Sequence, residues 1–300
     1  MELRQLRYFI EVAEREHVSE AAVHLHVAQS AISLQISKLE TELGVQLFER
    51  AGRNIKLTHI GKIFLHHIKT AIKAIDYAKG QVDEYLNPEH GTIKIGYPTS
   101  LASYLLPTII SAYKNKQPSV SFHLHQGSYS SLIESVKNGD INLALLGPVP
   151  PEDEEINTRI LFTENLSALV PINHPLAEKK SLALSELRND DFVLFPAGYV
   201  LRRIAVEACR QAGFKPKTAS EGADMDAIKG LVSAGMGVSI LPDGTFYDST
   251  PRFTAKIPIE APRVRRTVGI ITPKTRELAP SEKDFYQFIK EFFTVLEHYQ

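Results

Sequence analysis

The hydrophobic rhythm of the chain changes once, near residue 90. Up to Pro88, the first proline, apolar positions recur every three or four residues, which is the period of amphipathic helices. Leu3, Leu6, Phe9 or Ile10, and Ala13 share one face of a first helix. Ser19 is predicted to cap a second helix by accepting a bond from a first-turn amide, and Ala21 and Ala22 are small enough for another helix to cross closely. "HLHV" then turns the chain, with Val27 at the corner. A third helix buries Ile32, Ile36, Leu39 and Leu43 and stops at Gly44. After "NPEHG" (87–91), short β-rich runs alternate with helical ones, the pattern of a parallel sheet with crossover helices. The strand candidates are "TIKIGY", "VSFHLHQ", "INLALLG", "LSALVPI", "DFVLF", "GVSILP" and "TVGIIT", and helices are predicted over 100–115, 128–138, 200–212, 223–234 and 281–299.

Between the two regimes lies one long stripe. Ile60, Phe64, Ile68, Ala71, Ile75, Ala78, Val82 and Tyr85 follow spacings of 4, 4, 3, 4, 3, 4 and 3, close to a heptad seam. A stripe of that length must be buried, either on its own domain or against a second copy of the helix.

Polar positions of the third helix raise the first chemical question. With its stripe turned inward, Gln29, Ser30, Ser33, Leu34 and Gln35 face out near its start. Two crossed helices with that display form either a helix-turn-helix, whose second helix enters the DNA major groove, or a three-helix packing unit with a solvated face. Spacing alone leaves both open. The next stretch, "LFERAGRNIKLTHIGKIFL", favours the first, because a β-type turn around 51–57 makes a wing with Arg50, Arg53 and Lys56 placed to reach phosphates. Residues 50–75 hold six basic residues and no acid, although residues 1–87 balance 11 basic against 11 acidic side chains. Local placement, not total charge, is the argument for DNA.

Composition narrows the rest. The net charge of -1 neither demands nor excludes nucleic acid. A single cysteine, Cys209, rules out an internal disulfide framework and fits a reducing compartment; its place in "AVEACRQAGF" reads as core. The charged start "MELRQLRYFIEVAERE" has no apolar signal region, and no run approaches the ~20 apolar residues of a membrane span. A cytoplasmic protein without membrane contact is expected.

The C-terminal half repeats one arrangement three times: a strand, then hydroxyls and free amides at a helix start. It occurs at Thr99 and Ser100, at Gln126, Ser128 and Tyr129, and at Gly198 and Tyr199, followed by Arg202 and Arg203. Each alone reads as a capped helix, but three on one α/β sheet point to an anion-binding cleft at the strand ends. Enzyme signatures are missing: "GMGVSI" lacks the third glycine of a dinucleotide fingerprint, and there is no P-loop, HExxH or GxSxG. His123 and His125 share a strand face without further ligands and read as ordinary histidines, as do His66 and His67 on the long helix. Neither a metal nor a cofactor is expected.

The segment "EREHVSEAAVHLHVAQSAISLQISKLETELGVQLFER", with "R.IKLT..GK" after it, resembles the N-terminal signature of the LysR-type transcriptional regulators. The resemblance covers the whole chain and is strongest to members that activate glutamate synthase genes. It implies an α/β protein overall: an all-α winged helix-turn-helix (1–58), a linker helix (59–88) and a two-lobed effector domain (91–300) like a periplasmic binding protein. One lobe would hold residues 91–163 and 268–300 and the other 164–267, with hinge crossings near 162–164 and 267–269. Gln29, Ser30, Ser33 and Gln35 fall at base- and phosphate-contacting positions and Arg53 in the wing. Ala28 departs from the usual capping Ser or Thr, Leu34 from a common Arg, and His59-Ile60 from a small pair before Gly61. The resemblance further implies a homodimer through Phe64, Ile68, Ala71, Ile75, Ala78 and Val82, a homotetramer as the larger assembly, an operator with an inverted repeat, and RNA polymerase as a further partner. Its effector would be a small carboxylate such as 2-oxoglutarate or glutamate, and its targets genes of glutamate and nitrogen metabolism.

Overall fold

The computed structural model describes residues 1–51, 54–86, 91–102, 104–247 and 250–297. The chain divides into two compact units, Met1–Asp83 and Glu84–Gln300.

In the first unit, α1 (Leu3–Arg15), α2 (Val18–His24) and α3 (Gln29–Leu43) precede a two-stranded wing of β1 (Phe48–Ala51) and β2 (Asn54–Leu57), followed by the long helix α4 (His59–Leu86). Phe9, Val12, Ala21, Ile32, Leu39 and Leu47 are fully buried, so the helical periodicity translates directly into a core. Gly44 ends α3 in the left-handed region at φ 72°, as glycine can without strain. Two details differ from expectation. His17, not Ser19, caps α2, its Nδ1 accepting from the Glu20 amide at 3.4 Å; Ser19, already inside the helix, donates to Gln29 Oε1 at 3.0 Å. Leu43 is the last residue of α3 and stays exposed, so the buried stripe ends at Leu39.

Where α4 begins, Thr58 Oγ1 donates to the Gln46 carbonyl at 2.9 Å and accepts from the Gly61 amide at 3.0 Å. Phe64 and Ile68 then pack with Leu6, Phe9, Leu39 and Leu47, with the Phe64 ring edge-on to Phe9 at 5.2 Å. These two residues, which the resemblance places in a dimer seam, are therefore taken up inside their own chain. Ile72, which the seam omitted, is buried with them. Further along α4, Ala71, Ala78, Val82 and Tyr85 remain exposed and Ile75 is half-buried.

The second unit contains two separate cores. One draws on residues 93–161 and 268–293, the other on residues 166–264. Around the first lie β3 (Thr92–Tyr97), α5 (Thr99–Ala102), α6 (Leu105–Lys114), β4 (Ser121–Gln126), α7 (Tyr129–Lys137) and β5 (Leu143–Leu146). Next comes β6 (Ile156–Pro171), a 16-residue strand that runs from the first core into the second. Around the second core lie β7 (Leu182–Ala183), β8 (Asp191–Leu194), α8 (Val200–Gln211), β9 (Lys217–Glu221), α9 (Met225–Ser233), β10 (Ser239–Pro242) and β11 (Thr254–Ala261). β12 (Arg265–Pro273) returns to the first core, and α10 (Pro280–Glu297) closes it.

The sheet is mixed, not purely parallel. β3 pairs in parallel with β4 and β5, as crossover helices require, but β12 runs antiparallel to β5 and β6, and β10 and β11 antiparallel to β6. The physical reason is the double passage between cores: β6 leaves and β12 comes back beside it, from Arg265 opposite Asn165 to Pro273 opposite Ile156. The predicted strand over 166–172 is thus only the second half of β6.

Gly61 offers a direct test of the first unit. A Cβ at this position would lie 2.1 Å from the Leu47 carbonyl oxygen, and backbone cannot rotate away as a side-chain tip can. Gly61→Ala should lower stability by about 1–3 kcal/mol through overpacking, read as an earlier midpoint in urea unfolding of the full chain. A wild-type midpoint would show that α4 does not pack on Leu47 this closely.

Candidate DNA-reading face and effector cleft

Gln29, Ser30, Ser33 and Leu34 are exposed on the first turns of α3. Because Ala28 has no side-chain acceptor, α3 starts without a side-chain cap; the Ala31 amide donates to the Ala28 carbonyl at 3.0 Å, and the Gln29 and Ser30 amides are left for an external acceptor such as a phosphate. A groove of about 610 Å³ between α3 and the wing collects Gln29, Ser33 and Arg50, with His17 and Ser19 beside them. Glu40 holds this geometry: its Oε1 accepts from the Leu47 and Phe48 amides at 2.7 and 3.1 Å, tying the end of α3 to the root of the wing. Ser30 and Leu34 face solvent outside the groove lining. Gln35 is half-buried and turned toward α1, its Oε1 accepting from Gln5 Nε2 at 3.2 Å, so the structure does not bring it to the groove. Lys56 is exposed on β2 opposite Glu49, and Arg53 lies outside the described residues. Lys69, one of the basic run, pairs with Glu14 at 2.6 Å.

In the second unit a cleft of about 740 Å³ opens between the two cores. Thr99, Ser100, Ser128 and Tyr129 line it from one side and Gly198, Tyr199, Arg202 and Arg203 from the other. Of the predicted set, Gln126 alone stands behind the wall, where its Nε2 donates to Thr99 Oγ1 at 2.9 Å. Besides the one-turn α5 at Thr99, two helices begin here. Ser128 caps α7, accepting from the Ser131 amide at 3.2 Å, whereas α8 starts at Tyr199 without a side-chain cap, after Gly198 at φ 94°. Aligned peptide dipoles make both starts favourable to negative charge.

The two arginines have different duties. Arg202 donates to the Phe195 carbonyl at 2.7 Å and to Glu221 Oε1 at 2.5 Å, so its charge is already matched. Arg203 is exposed and forms no ion pair among the described residues. Burial raises the Tyr129 phenol above its ordinary range, and the Arg203 charge acts against that rise.

Behind the cleft sits a cluster that the loop pattern did not reveal. Ser100 is buried and accepts from Arg266 Nη1 at 2.9 Å. Arg266 Nε donates to Glu164 Oε1 at 2.5 Å, and Glu164 Oε2 accepts from the Tyr104 hydroxyl at 3.0 Å and the Gly244 amide at 3.4 Å. Burial, and then the Glu164 charge, push the Tyr104 hydroxyl well above its ordinary range, so it remains a donor.

Other candidates are ordinary. Cys209 is fully buried, and burial pushes its thiol up to about 12, which leaves no reactive thiolate near neutral pH. His123 and His125 lie exposed on β4, the sheet edge. Among the described residues no group of three or more His, Cys, Asp or Glu could hold a metal, and no helix is long and apolar enough to cross a membrane.

Comparison with known proteins agrees with this layout. Residues 3–62 match the family described as "Bacterial regulatory helix-turn-helix protein, lysR family" and residues 87–294 match "LysR substrate binding domain". The chain is 69% identical over 300 residues to the transcriptional dual regulator GltC of Bacillus subtilis, covering 100% of both chains. It is 34% identical to the regulator AlsR of the same organism over 81% of this chain and 80% of that one. Among solved structures, full-length CbnR in complex with its target DNA superposes with a TM-score of 0.77 at 26% identity, over 97% of this chain and 99% of that one.

The groove of the first unit generates a paired test. Gln29→Ala and Ser33→Ala should each weaken specific operator binding by roughly 1–3 kcal/mol, the size of a lost base contact, without lowering stability. Arg50→Ala should weaken binding to all sequences and flatten the salt dependence by about one unit of slope. Fluorescence anisotropy against operator and scrambled duplexes separates the two behaviours; operator affinity unchanged in all three variants would remove DNA from this face.

Proposed function

The chain belongs to the LysR family of bacterial transcriptional regulators, and on that premise we propose that it switches genes of glutamate and nitrogen metabolism in response to a small dicarboxylate in the cleft of its second unit, with 2-oxoglutarate and glutamate as the candidate effectors. It is a DNA-binding regulator and not an enzyme. The gene assignment is supported by the resemblance of the whole sequence to activators of glutamate synthase genes and by the 69% identity to a transcriptional dual regulator. One observation carries the effector class: Arg203, a guanidinium with no ion pair among the described residues, shares a cleft with two helix starts and the hydroxyls of Thr99 and Ser100. Everything polar there favours an anion, and a 740 Å³ space suits a metabolite, not a polymer.

Operator binding by an oligomer is common to this family. For this chain we assign the contact between copies to the exposed stretch of α4, Ala71, Ala78, Val82 and Tyr85 with the edge of Ile75, which would set two α3 helices on an inverted repeat. Pairs of such dimers would make the tetramer, with RNA polymerase as the downstream partner in the cytoplasm. Since Phe64 and Ile68 are occupied within the first unit, the seam starts at Ala71, about two turns after Phe64.

Two outcomes follow. Arg203→Ala should weaken 2-oxoglutarate or glutamate binding by about 1.5–3 kcal/mol, the range for a hydrogen bond to a charged group, with melting temperature unchanged. Arg202→Ala should instead lower the melting temperature, because Glu221 loses its partner. Calorimetric titration beside a thermal melt reads both, and equal ligand affinity in wild type and Arg203→Ala would move the effector away from α8. For the seam, Val82→Asp alters a residue 59% exposed within the chain and should leave each unit folded while shifting sedimentation to a smaller species and weakening operator binding. Sedimentation identical to wild type would exclude this stretch of α4 from the contact.

A further inference from the structure

We propose that the buried Arg266–Glu164 pair sets how tightly the cleft holds an anion: Arg266 is a positioning residue that turns the Ser100 hydroxyl proton toward the ligand, and Glu164 is the opposing charge that ties the ligand site to the junction between the two lobes. This deepens the reading of the cleft as the effector site and rests on it.

The argument begins with the direction of one hydrogen bond. A guanidinium can only donate, so Ser100 Oγ, 2.9 Å from Arg266 Nη1, must accept. The serine proton is then free to point elsewhere, and Ser100 lines the cleft. An acceptor that is itself bonded to a cation becomes a better donor, because the oxygen is polarised. Arg266 thus acts on a bound anion through one intervening hydroxyl, without touching it.

Its position explains the link to the lobe junction. Arg266 and Glu164 face each other across β12 and β6, where one core has ended and the other has not begun. The Arg266 side chain is 0% exposed and that of Glu164 6%. Glu164 Oε1 takes the Nε bond, while Nη2, 2.5 Å from the same oxygen, lies off the hydrogen-bonding direction and has no acceptor of its own. Glu164 Oε2 is held by Tyr104, next to the first core, and by the amide of Gly244, next to the second. The carboxylate therefore restrains both lobes while neutralising the cation that supports Ser100. An anion arriving at Ser100 draws on the same guanidinium charge, which weakens the claim of Glu164 on Arg266. Binding and lobe position are coupled because one cation serves both.

This assignment gives opposite signs for two substitutions, which a purely structural role does not. Glu164→Gln keeps the shape and the acceptor for Tyr104 but leaves Arg266 uncompensated, so the affinity for 2-oxoglutarate should rise about tenfold. Arg266→Gln combined with Glu164→Gln removes both charges and leaves no orphaned ion, and affinity should fall about tenfold. Operator affinity without ligand should be unchanged in both. The measurement is calorimetric titration of the full-length wild type and both variants with 2-oxoglutarate and with glutamate, beside thermal melts and operator anisotropy. Equal weakening in both variants, or no change in either, overturns the inference while leaving the cleft as the effector site. If the single variant fails to fold, the double variant decides: wild-type affinity there overturns the role of Arg266. Failure of the wild type to bind either probe overturns the effector reading itself, and this inference with it.

Discussion

Everything in the second unit depends on how a buried backbone crosses from one core to another. Peptide groups that leave water need partners along the whole passage, and a loop through the middle of the unit would leave several without one. The chain meets this by crossing as a ribbon, with β6 outbound and β12 returning beside it. Strand geometry then does the rest. Position along the ribbon sends Leu161 and Val268 to one core and Leu166 and Val264 to the other, and at the changeover neither core reaches Glu164 and Arg266. A charge pair is found where apolar packing stops, and the cleft opens beside it.

The two candidate sites rest on one piece of physics. The uncapped start of α3 and the starts of α7 and α8 each present amides that the helix cannot satisfy internally. In the first unit those amides stand beside a wing carrying Arg50; in the second they line a cleft that also holds Arg203. Phosphates on a polymer call for an open groove, whereas a small carboxylate calls for walls on both sides. Wall geometry, more than residue type, separates the two sites.

Legibility in the sequence followed locality. The first unit is built from contacts between neighbouring helices, so its period of three to four residues announced Phe9, Ile32 and Leu39 as core. The loops that line the cleft are legible because a strand followed by hydroxyls and a helix start is a local arrangement. Three strands are hidden in the sequence for identifiable reasons: "KTASE" in β9 is polar and mostly exposed, β11 carries Pro258 and the polar Thr254, Lys256 and Glu260, and β7 has two residues. For Phe64 and Ile68 periodicity shows that a face is buried and not by what, and the structure buries them within their own chain. Arg266 left a faint trace. In "RVRRTVGI" the inward positions are Val264, Arg266 and Val268, so a charge interrupts an apolar alternation, and Glu164 does the same between Phe162 and Leu166. Two such interruptions 102 positions apart do not identify each other as partners until the strands are paired.

The crossing ribbon also makes the second lobe a topological insert. Asn165 and Arg265, its entry and exit, are cross-strand neighbours joined by a side-chain bond of 3.0 Å although 100 positions separate them in sequence. A turn of about two residues would suffice to join such strand ends directly, and the first lobe would still own the sheet order β4, β3, β5, β12, β6. In topological terms the second lobe is a cassette in a hairpin, one whose exchange would change half the walls of the cleft and leave the strand order of the first lobe in place.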